Sequence, residues 1–451
     1  MKLKQLYWIF FSFVFSCNAQ ENTTKLNANV FGFCTSNTFT YCDVDDTSFT
    51  NRVHKINPQV LRFPGGSLGN FYHYDKQGYG FNFDEINDWH SQKFADRVSG
   101  LVRTQQRKGH HHNYINDFIF LAKQNNSKVI LVANILTSKD DEIIKIIDRF
   151  IAEDIEILGI ELGSELSNRA YKKHINSVED YIQIAQKYSQ IIKEEFPKMK
   201  VGVVAAPIKE NTPKRLLNWN TKLAQQTFYD AIIHHSYFKV VDGEEDAGVM
   251  VSEKEVTESK EIQFELYKDR VLDYFNEGFE KEINEYNTIF NNKDIWITEW
   301  NLQMTKTTGN TLLQSLFISQ YLLELLSNPN LQNIKIATYH NLAGRDVSGS
   351  IFKGVKDGFE THSTYYPLTF LSEIFKNDIV RIDKDKFNNI HTYNCLDKND
   401  KLVFSYDVDW EMNHFRLNFK ETTKIYGSNN LFDKENQNGV LHLKTDLKIK
   451  F

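Results

Sequence analysis

Two glutamates stand where a charged side chain is out of place. The apolar stretch Ile155–Leu162 runs on into Gly163-Ser164-Glu165, and the apolar stretch Ile295-Trp296-Ile297-Thr298 ends in Glu299. Carboxylates are seldom buried without a partner or a task. Side chains alternate along a strand, so Glu161 and Glu165 share a face, with Glu165 just past the strand end and Glu161 deeper. Glu161 reads as a buried carboxylate paired with a base, for which Arg62 is the candidate. Two carboxylates on opposing walls of one pocket are what glycosidic-bond cleavage needs. One gives a proton to the leaving oxygen, and the other attacks the anomeric carbon or activates water. Separate environments push the two pKa values apart, so that both roles coexist near neutral pH. The residues alone also allow a plainer role, two structural ion-pair glutamates.

The elements that must position this pair repeat one theme from about residue 28 to 342: a short apolar strand, then a helical stretch. Parallel strands need long crossovers, usually helices, so the alternation predicts an α/β protein with a parallel sheet. Eight strands are expected: 29–33, 60–63, 128–134, 155–162, 200–205, 230–235, 295–299 and 334–340. Helical periodicity places Tyr181, Ile184, Ala185, Tyr188, Ile191 and Ile192 on one face of 180–195, stopped by Pro197, and a second helix is expected over 311–326. Eight such units make a (β/α)8 TIM barrel over residues 28–376. An open doubly wound sheet is the alternative, but no glycine-rich phosphate loop follows the first strand. Residues 377–451 alternate in the manner of strands and predict a small β-sandwich packed on the barrel. In a barrel of this kind functional side chains gather at the C-terminal ends of the strands, where Glu165 and Glu299 lie.

Composition sets the outer bounds. Of 451 residues 41% are hydrophobic and 25% charged, ordinary for a folded protein, and the net charge of -6 gives no reason to expect nucleic acid. Lys2 and Lys4 precede the apolar run Leu6–Phe15, too short for a mature membrane span and suited to an export signal over 1–19. The run ends in Val14-Phe15-Ser16-Cys17, which resembles a bacterial lipoprotein box with Cys17 as the lipid acceptor. Cleavage after Ala19 without lipidation is the rival. The expectation is therefore an exported bacterial protein, periplasmic or on the cell surface, touching a membrane only through a lipid anchor. Cys34 and Cys42 either form a local disulfide or remain free thiols beside Cys395. His110-His111-His112 cannot all point at one ion and reads as a solvated loop, and no other spacing suggests a metal site.

The motifs Leu61-Arg62-Phe63-Pro64-Gly65-Gly66, Ile160-Glu161-Leu162-Gly163-Ser164-Glu165 and Ile297-Thr298-Glu299-Trp300 resemble the second-, fourth- and seventh-strand motifs of clan A retaining glycoside hydrolases. Within the clan the pattern is most similar to heparanase-type β-glucuronidases and α-L-arabinofuranosidases. The resemblance implies that Glu165 is the acid/base and Glu299 the nucleophile, with net retention. It implies that Arg62 lies beneath the nucleophile and holds it ionised. His235 and Tyr237 match the clan's His-x-Tyr on the sixth strand, whose Tyr hydrogen-bonds the nucleophile. A slip of one residue would put His234 and Ser236 there instead. Asn134 is placed to bind a sugar hydroxyl or to cap its strand. Trp300 and His340 stand where the clan carries sugar-stacking and sugar-binding groups, and core packing is the other reading of Trp300. One position departs: the clan has Asn immediately before the acid/base, and here it is Ser164.

The function this implies is hydrolysis of a poly- or oligosaccharide without a cofactor. The alternative is a surface lipoprotein that binds glycan without cutting it. Residues 242–261 hold eight Asp/Glu against two Lys, and if that segment overhangs the cleft it would repel acidic chains, which tilts the expectation toward neutral sugars.

Overall fold

In the computed structural model the described residues are 26–74, 80–109, 113–208, 212–246, 249–254, 259–345, 349–435 and 442–447. The expected export signal with Cys17, the triplet His110–His112 and part of the acidic segment lie outside them.

Eight strands close into a parallel barrel: β1 (Gly32–Cys34), β2 (Val60–Phe63), β3 (Lys128–Ala133), β4 (Ile157–Leu162), β5 (Val201–Val204), β6 (Ala231–Phe238), β7 (Asp294–Leu302) and β8 (Ile334–Tyr339). The ring runs in chain order, with β1 pairing both β2 (Gly32↔Val60) and β8 (Gly32↔Thr338). The first expected strand is shifted: Ala28–Val30 is a 3-10 turn, its entry capped by the Asn27 side chain, and pairing begins only at Gly32. The interior is filled by layers of large and small residues. Trp296 on β7 projects its indole across to Gly159 on β4 and Gly202 on β5, where an added Cβ would stand 2.3 and 2.7 Å from the ring.

One irregularity matters for chemistry. Along β7, Ile297 pairs with His234 of β6 but the next partner of His235 is Glu299, and on the other side Ala337 pairs with Ile297 while Tyr339 pairs with Trp300. Thr298 is therefore an extra residue against both neighbours. A bulge of this sort re-aims side chains. Here it lets Thr298 reach Glu161 on the interior side while Glu299 also faces inward.

The helices wrap this ring. Among them α1 (Gln92–Arg107) follows β2, α2 (Val178–Glu195) follows β4 and α3 (Lys214–Leu223) follows β5. α2 starts two residues before the expected point, because Ser177 and Asp180 form a reciprocal capping box. The helix over Leu312–Ser327, α4, is buried on every side from Leu312 to Leu325. Such all-round burial needs cover on both faces. β7 lies under one of them, and the other carries the C-terminal domain.

That domain is β-sandwich-like: β9 (Arg381–Phe387), β10 (Ile390–Leu396), β11 (Leu402–Asp409), β12 (His414–Phe419), β13 (Thr422–Gly427) and β14 (His442–Leu447) form one antiparallel meander. Alternate residues Tyr393, Cys395, Phe404, Tyr406, Val408, Phe415 and Leu417 are buried. α4 and the helix Tyr365–Leu371 supply the facing layer. Polar groups cross the joint: Trp410 donates to Gln320 Oε1 at 2.6 Å, Tyr393 to Glu324 Oε1 at 2.6 Å and Tyr406 to the Phe370 carbonyl at 2.5 Å. Cys34, Cys42 and Cys395 are buried free thiols, so the local disulfide is not formed.

Candidate active site

The site is built around a buried arginine. Arg62, on β2, is fully enclosed, and its guanidinium has two faces to satisfy. Nε and Nη2 fork onto Glu161 Oε1 and Oε2 at 2.6 and 2.7 Å, and Nη1 donates to Glu299 Oε1 at 2.8 Å. Both expected partners are thus held by one cation. Thr298 adds a hydroxyl donor to Glu161 Oε2 at 3.2 Å. The Cys34 thiol lies 3.5 Å from Nη1, and burial pushes its pKa up to about 12, keeping it neutral beside the carboxylates.

Glu299 has both oxygens occupied. Oε1 takes Arg62, and Oε2 accepts from the Tyr237 hydroxyl at 2.6 Å. Burial alone would favour the neutral acid, but the charges of His235, His340 and Arg62 and the Tyr237 hydrogen bond outweigh it and hold the carboxyl well below the usual range. It is an anion at neutral pH. The Tyr237 phenol is itself pushed up by burial and by Glu299, so it remains a donor.

Glu165 follows Gly163 and Ser164 at the mouth of β4 with φ at +52°, a left-handed conformation that few non-glycine residues adopt and that recurs at functional sites. Its side chain is 34% exposed against 6% for Glu299. The loop that carries it is gripped by Asn70. The Asn70 amide donates to the Ser164 carbonyl and accepts from the Ser164 N–H, each at 2.8 Å, and donates to the Tyr171 hydroxyl at 2.8 Å. Gly65 makes the neighbouring β2 loop possible: at φ +77° a Cβ there would meet the Cys34 sulfur at 2.3 Å.

His235 bridges the two glutamates. Its Nδ1 is 3.0 Å from Glu165 Oε1 and 3.6 Å from Glu299 Oε2, and its Nε2 is 3.3 Å from the Thr298 hydroxyl. Burial and Arg62 disfavour the imidazolium, but the two carboxylates prevail and its pKa is raised. Nearest oxygens of Glu165 and Glu299 lie within 4.8 Å of each other. The β6 register puts His235 and Tyr237 inside. His234 turns outward to Glu282 at 2.6 Å.

Glu165, His235 and Glu299 have the donor types of a metal site, as do Cys34, Glu299 and His340. Arg62 at 2.8 Å from Glu299 already supplies the cation, and both Glu299 oxygens already accept hydrogen bonds, so neither group suits a divalent ion.

Other expected site residues fall in different places. Ser164 is buried, its hydroxyl 3.5 Å from Arg62 Nη2. His340 lies by Glu299, its ring edge-on to Tyr237 at 6.2 Å. Asn134 spends its amide locally, Oδ1 accepting from the N–H of Leu136 and Thr137 and Nδ2 donating to the Thr137 hydroxyl. That is a cap on the β3 exit. Trp300 points away from the mouth and stacks on Tyr321 of α4 at 4.3 Å, wholly buried. Asn70 and the Thr298 bulge were not legible in the sequence, since neither sits in a recognisable pattern. Gly65-Gly66-Ser67-Leu68-Gly69 has the spacing of a serine nucleophile elbow. The Ser67 hydroxyl goes to Tyr171 instead of a histidine.

No family model and no curated protein matches the chain. Solved structures do. The GH51 arabinofuranosidase from Xanthomonas axonopodis pv. citri aligns with a TM-score of 0.60 at 11% identity, over 94% of this chain and 92% of that one. The α-L-arabinofuranosidase from Thermotoga maritima aligns with 0.60 at 14% identity, over 94% of each chain. A 4-O-alpha-L-rhamnosyl-beta-D-glucuronidase from Fusarium oxysporum 12S aligns with 0.56 at 12% identity, over 93% and 88%. At such identities the likeness is one of fold: a parallel eight-stranded barrel followed by a β-sandwich-like domain.

Proposed function

We propose that the protein is a retaining glycoside hydrolase acting on a poly- or oligosaccharide outside the cytoplasm. The observation that carries this reading is the pair itself, an ionised Glu299 and a mouth-facing Glu165 with oxygens within 4.8 Å. Retaining enzymes hold their carboxyl groups about 5–5.5 Å apart, whereas inverting ones leave about 6.5–9.5 Å for a water.

In the first step a Glu299 oxygen bonds to the anomeric carbon as the bond to the leaving oxygen breaks, and Glu165 gives that oxygen its proton. A glycosyl ester of Glu299 results. Glu165, now a carboxylate, takes a proton from water as the water oxygen attacks the same carbon and Glu299 departs. Arg62 and Tyr237 hold the Glu299 charge before the first step and take it up again as Glu299 departs in the second, and His235 orients Glu165. The leader with Cys17 fits export to the periplasm or cell surface by way of a lipid anchor.

The test is activity of the purified mature chain on a panel of polysaccharides and aryl glycosides, beside Glu165→Gln and Glu299→Gln. Release of sugar by the wild type and near-complete loss in both variants is expected. If the chain binds glycan, cuts nothing, and both variants bind equally well, it is a binding protein.

A further inference from the structure

The bulge in β7 leaves Thr298 without a partner on β6, where Ile297 pairs with His234 and Glu299 with His235. Its carbonyl accepts from the Thr338 hydroxyl of β8, and its side chain is fully enclosed. The hydroxyl stands between two groups of the site, 3.2 Å from Glu161 Oε2 and 3.3 Å from His235 Nε2. A hydroxyl has one proton to give, so these two contacts cannot both be donations. Glu161, forked by Arg62, is a carboxylate and can only accept. Thr298 therefore donates to Glu161 and turns a lone pair to His235, whose Nε2 must carry a proton.

The hydrogen bond made by one ring nitrogen decides the state of the other. With the proton of a neutral imidazole held at Nε2, Nδ1 would aim a bare lone pair at two oxygens. They are Glu165 Oε1 at 3.0 Å and Glu299 Oε2 at 3.6 Å. Carboxylate oxygens repel a lone pair and attract an N–H, so the ring takes a second proton. The charged groups that face it among the described residues are Glu165 beyond the end of β4, Glu299 on β7, Arg62 on β2 and, through Thr298, Glu161 on β4. The Tyr237 phenol on the same strand stays neutral. Burial and Arg62 oppose the second proton, and the carboxylates outweigh them, so the His235 pKa is raised.

We propose that Thr298 is a positioning residue of the acid step: it passes the charge of Glu161 to His235, so that the ring donates from Nδ1 to Glu165 Oε1 and leaves Oε2 to carry the proton for the leaving group. This rests on the hydrolase reading above. As the Oε2–H bond breaks and its proton passes to the leaving oxygen, the charge left on Glu165 faces the imidazolium. When water attacks, Oε2 takes the water proton, and His235 gains and loses none. Without the Thr298 hydroxyl, Nε2 loses its acceptor and the doubly protonated ring loses the support of Glu161.

The test reads the ring and the reaction separately. In the full chain carrying isotope-labelled histidine, nitrogen NMR identifies His235 by the signals missing from His235→Gln. At about pH 7 both ring nitrogens of the wild type are expected to be protonated. In Thr298→Val the ring should lose its proton at a pH lower by about one unit or more, and Thr298→Ser should restore the wild-type value. For the reaction, kcat/KM is compared on dinitrophenyl and phenyl glycosides of a sugar that the wild type cleaves. The first leaving group departs without a proton and the second needs one. Thr298→Val should raise the dinitrophenyl-to-phenyl ratio about tenfold or more, and Thr298→Ser should return it to within about threefold of wild type. A hydroxyl that only supports the strand would lower both rates together and leave the ratio unchanged. An unprotonated Nε2 in the wild-type chain overturns the relay, and no misfolded Thr298 variant can obscure that result. So does an unmoved His235 titration, or an unmoved ratio, in Thr298→Val. Ring nitrogens that behave as expected in a chain that cleaves no aryl glycoside would sink the hydrolase reading and not the hydrogen-bond relay.

Discussion

Arg62 and Glu299 meet at 2.8 Å inside the barrel, and the same guanidinium is forked onto Glu161 on its other edge. Glu299 is therefore anchored through a group that is also in a buried ion pair with Glu161. Arg62 meets both Glu161 and Glu299, because a guanidinium has enough donors to serve both at once.

Removing this hub strands two buried carboxylates. Arg62→Met is expected to cost about 3–5 kcal/mol of stability, read as a lowered midpoint in urea, because a broken buried pair leaves an uncompensated charge. Arg62→Lys keeps the charge but not the fork. It should fold more stably than Arg62→Met and still lose activity on the order of 10²-fold.

Tyr237→Phe removes the only hydroxyl on Glu299 Oε2 among the described residues. A hydrogen bond to a charged group contributes about 1.5–3 kcal/mol, so kcat/KM should fall roughly 10- to 100-fold. Glu299 would also be less strongly held as an anion. The acid limb of the kcat/KM profile should then move to higher pH, a shift that a merely structural role would not produce.

His235 has a raised pKa, so its share of stability is complete below its unfolded value near 6.5 and is lost as pH rises through the higher folded value. His235→Asn should therefore lower the thermal midpoint most at about pH 5.5, and the gap from wild type should narrow toward about pH 9. An equal gap at both pH values would show that the imidazolium contributes nothing.

Asp117, buried in the first turn of the helix Tyr114–Asn125, is pushed up to about 8 by burial and by Asp43 and Asp45. It binds its proton more tightly folded than unfolded, so stability declines as pH climbs from about 4 to about 8. Asp117→Asn removes the titration. It should raise the melting midpoint more at about pH 9 than at about pH 4, where both chains carry a neutral group.

The fold was legible because it rests on periodicity. Eight apolar runs separated by helical stretches have few closed arrangements, and β2 was delimited to the residue. The glutamates were legible because a charge at the end of an apolar strand needs a reason. A chain-local signal also placed the start of α4 at Thr311, whereas the Ser177 cap of α2 lay ahead of the expected helix.

What the sequence left open depends on pairing between distant segments. The extra residue at Thr298 exists only relative to β6 and β8, so no local pattern in β7 announces it. The facing of His235 over His234 is a register, and register is fixed by neighbours. Trp300 could have looked into the mouth, but α4 offered Tyr321 to stack on, and apolar burial decided its direction. Asn70, four residues beyond the Gly65-Gly66 turn, became the clamp on the Glu165 loop through contacts that span 94 residues of chain.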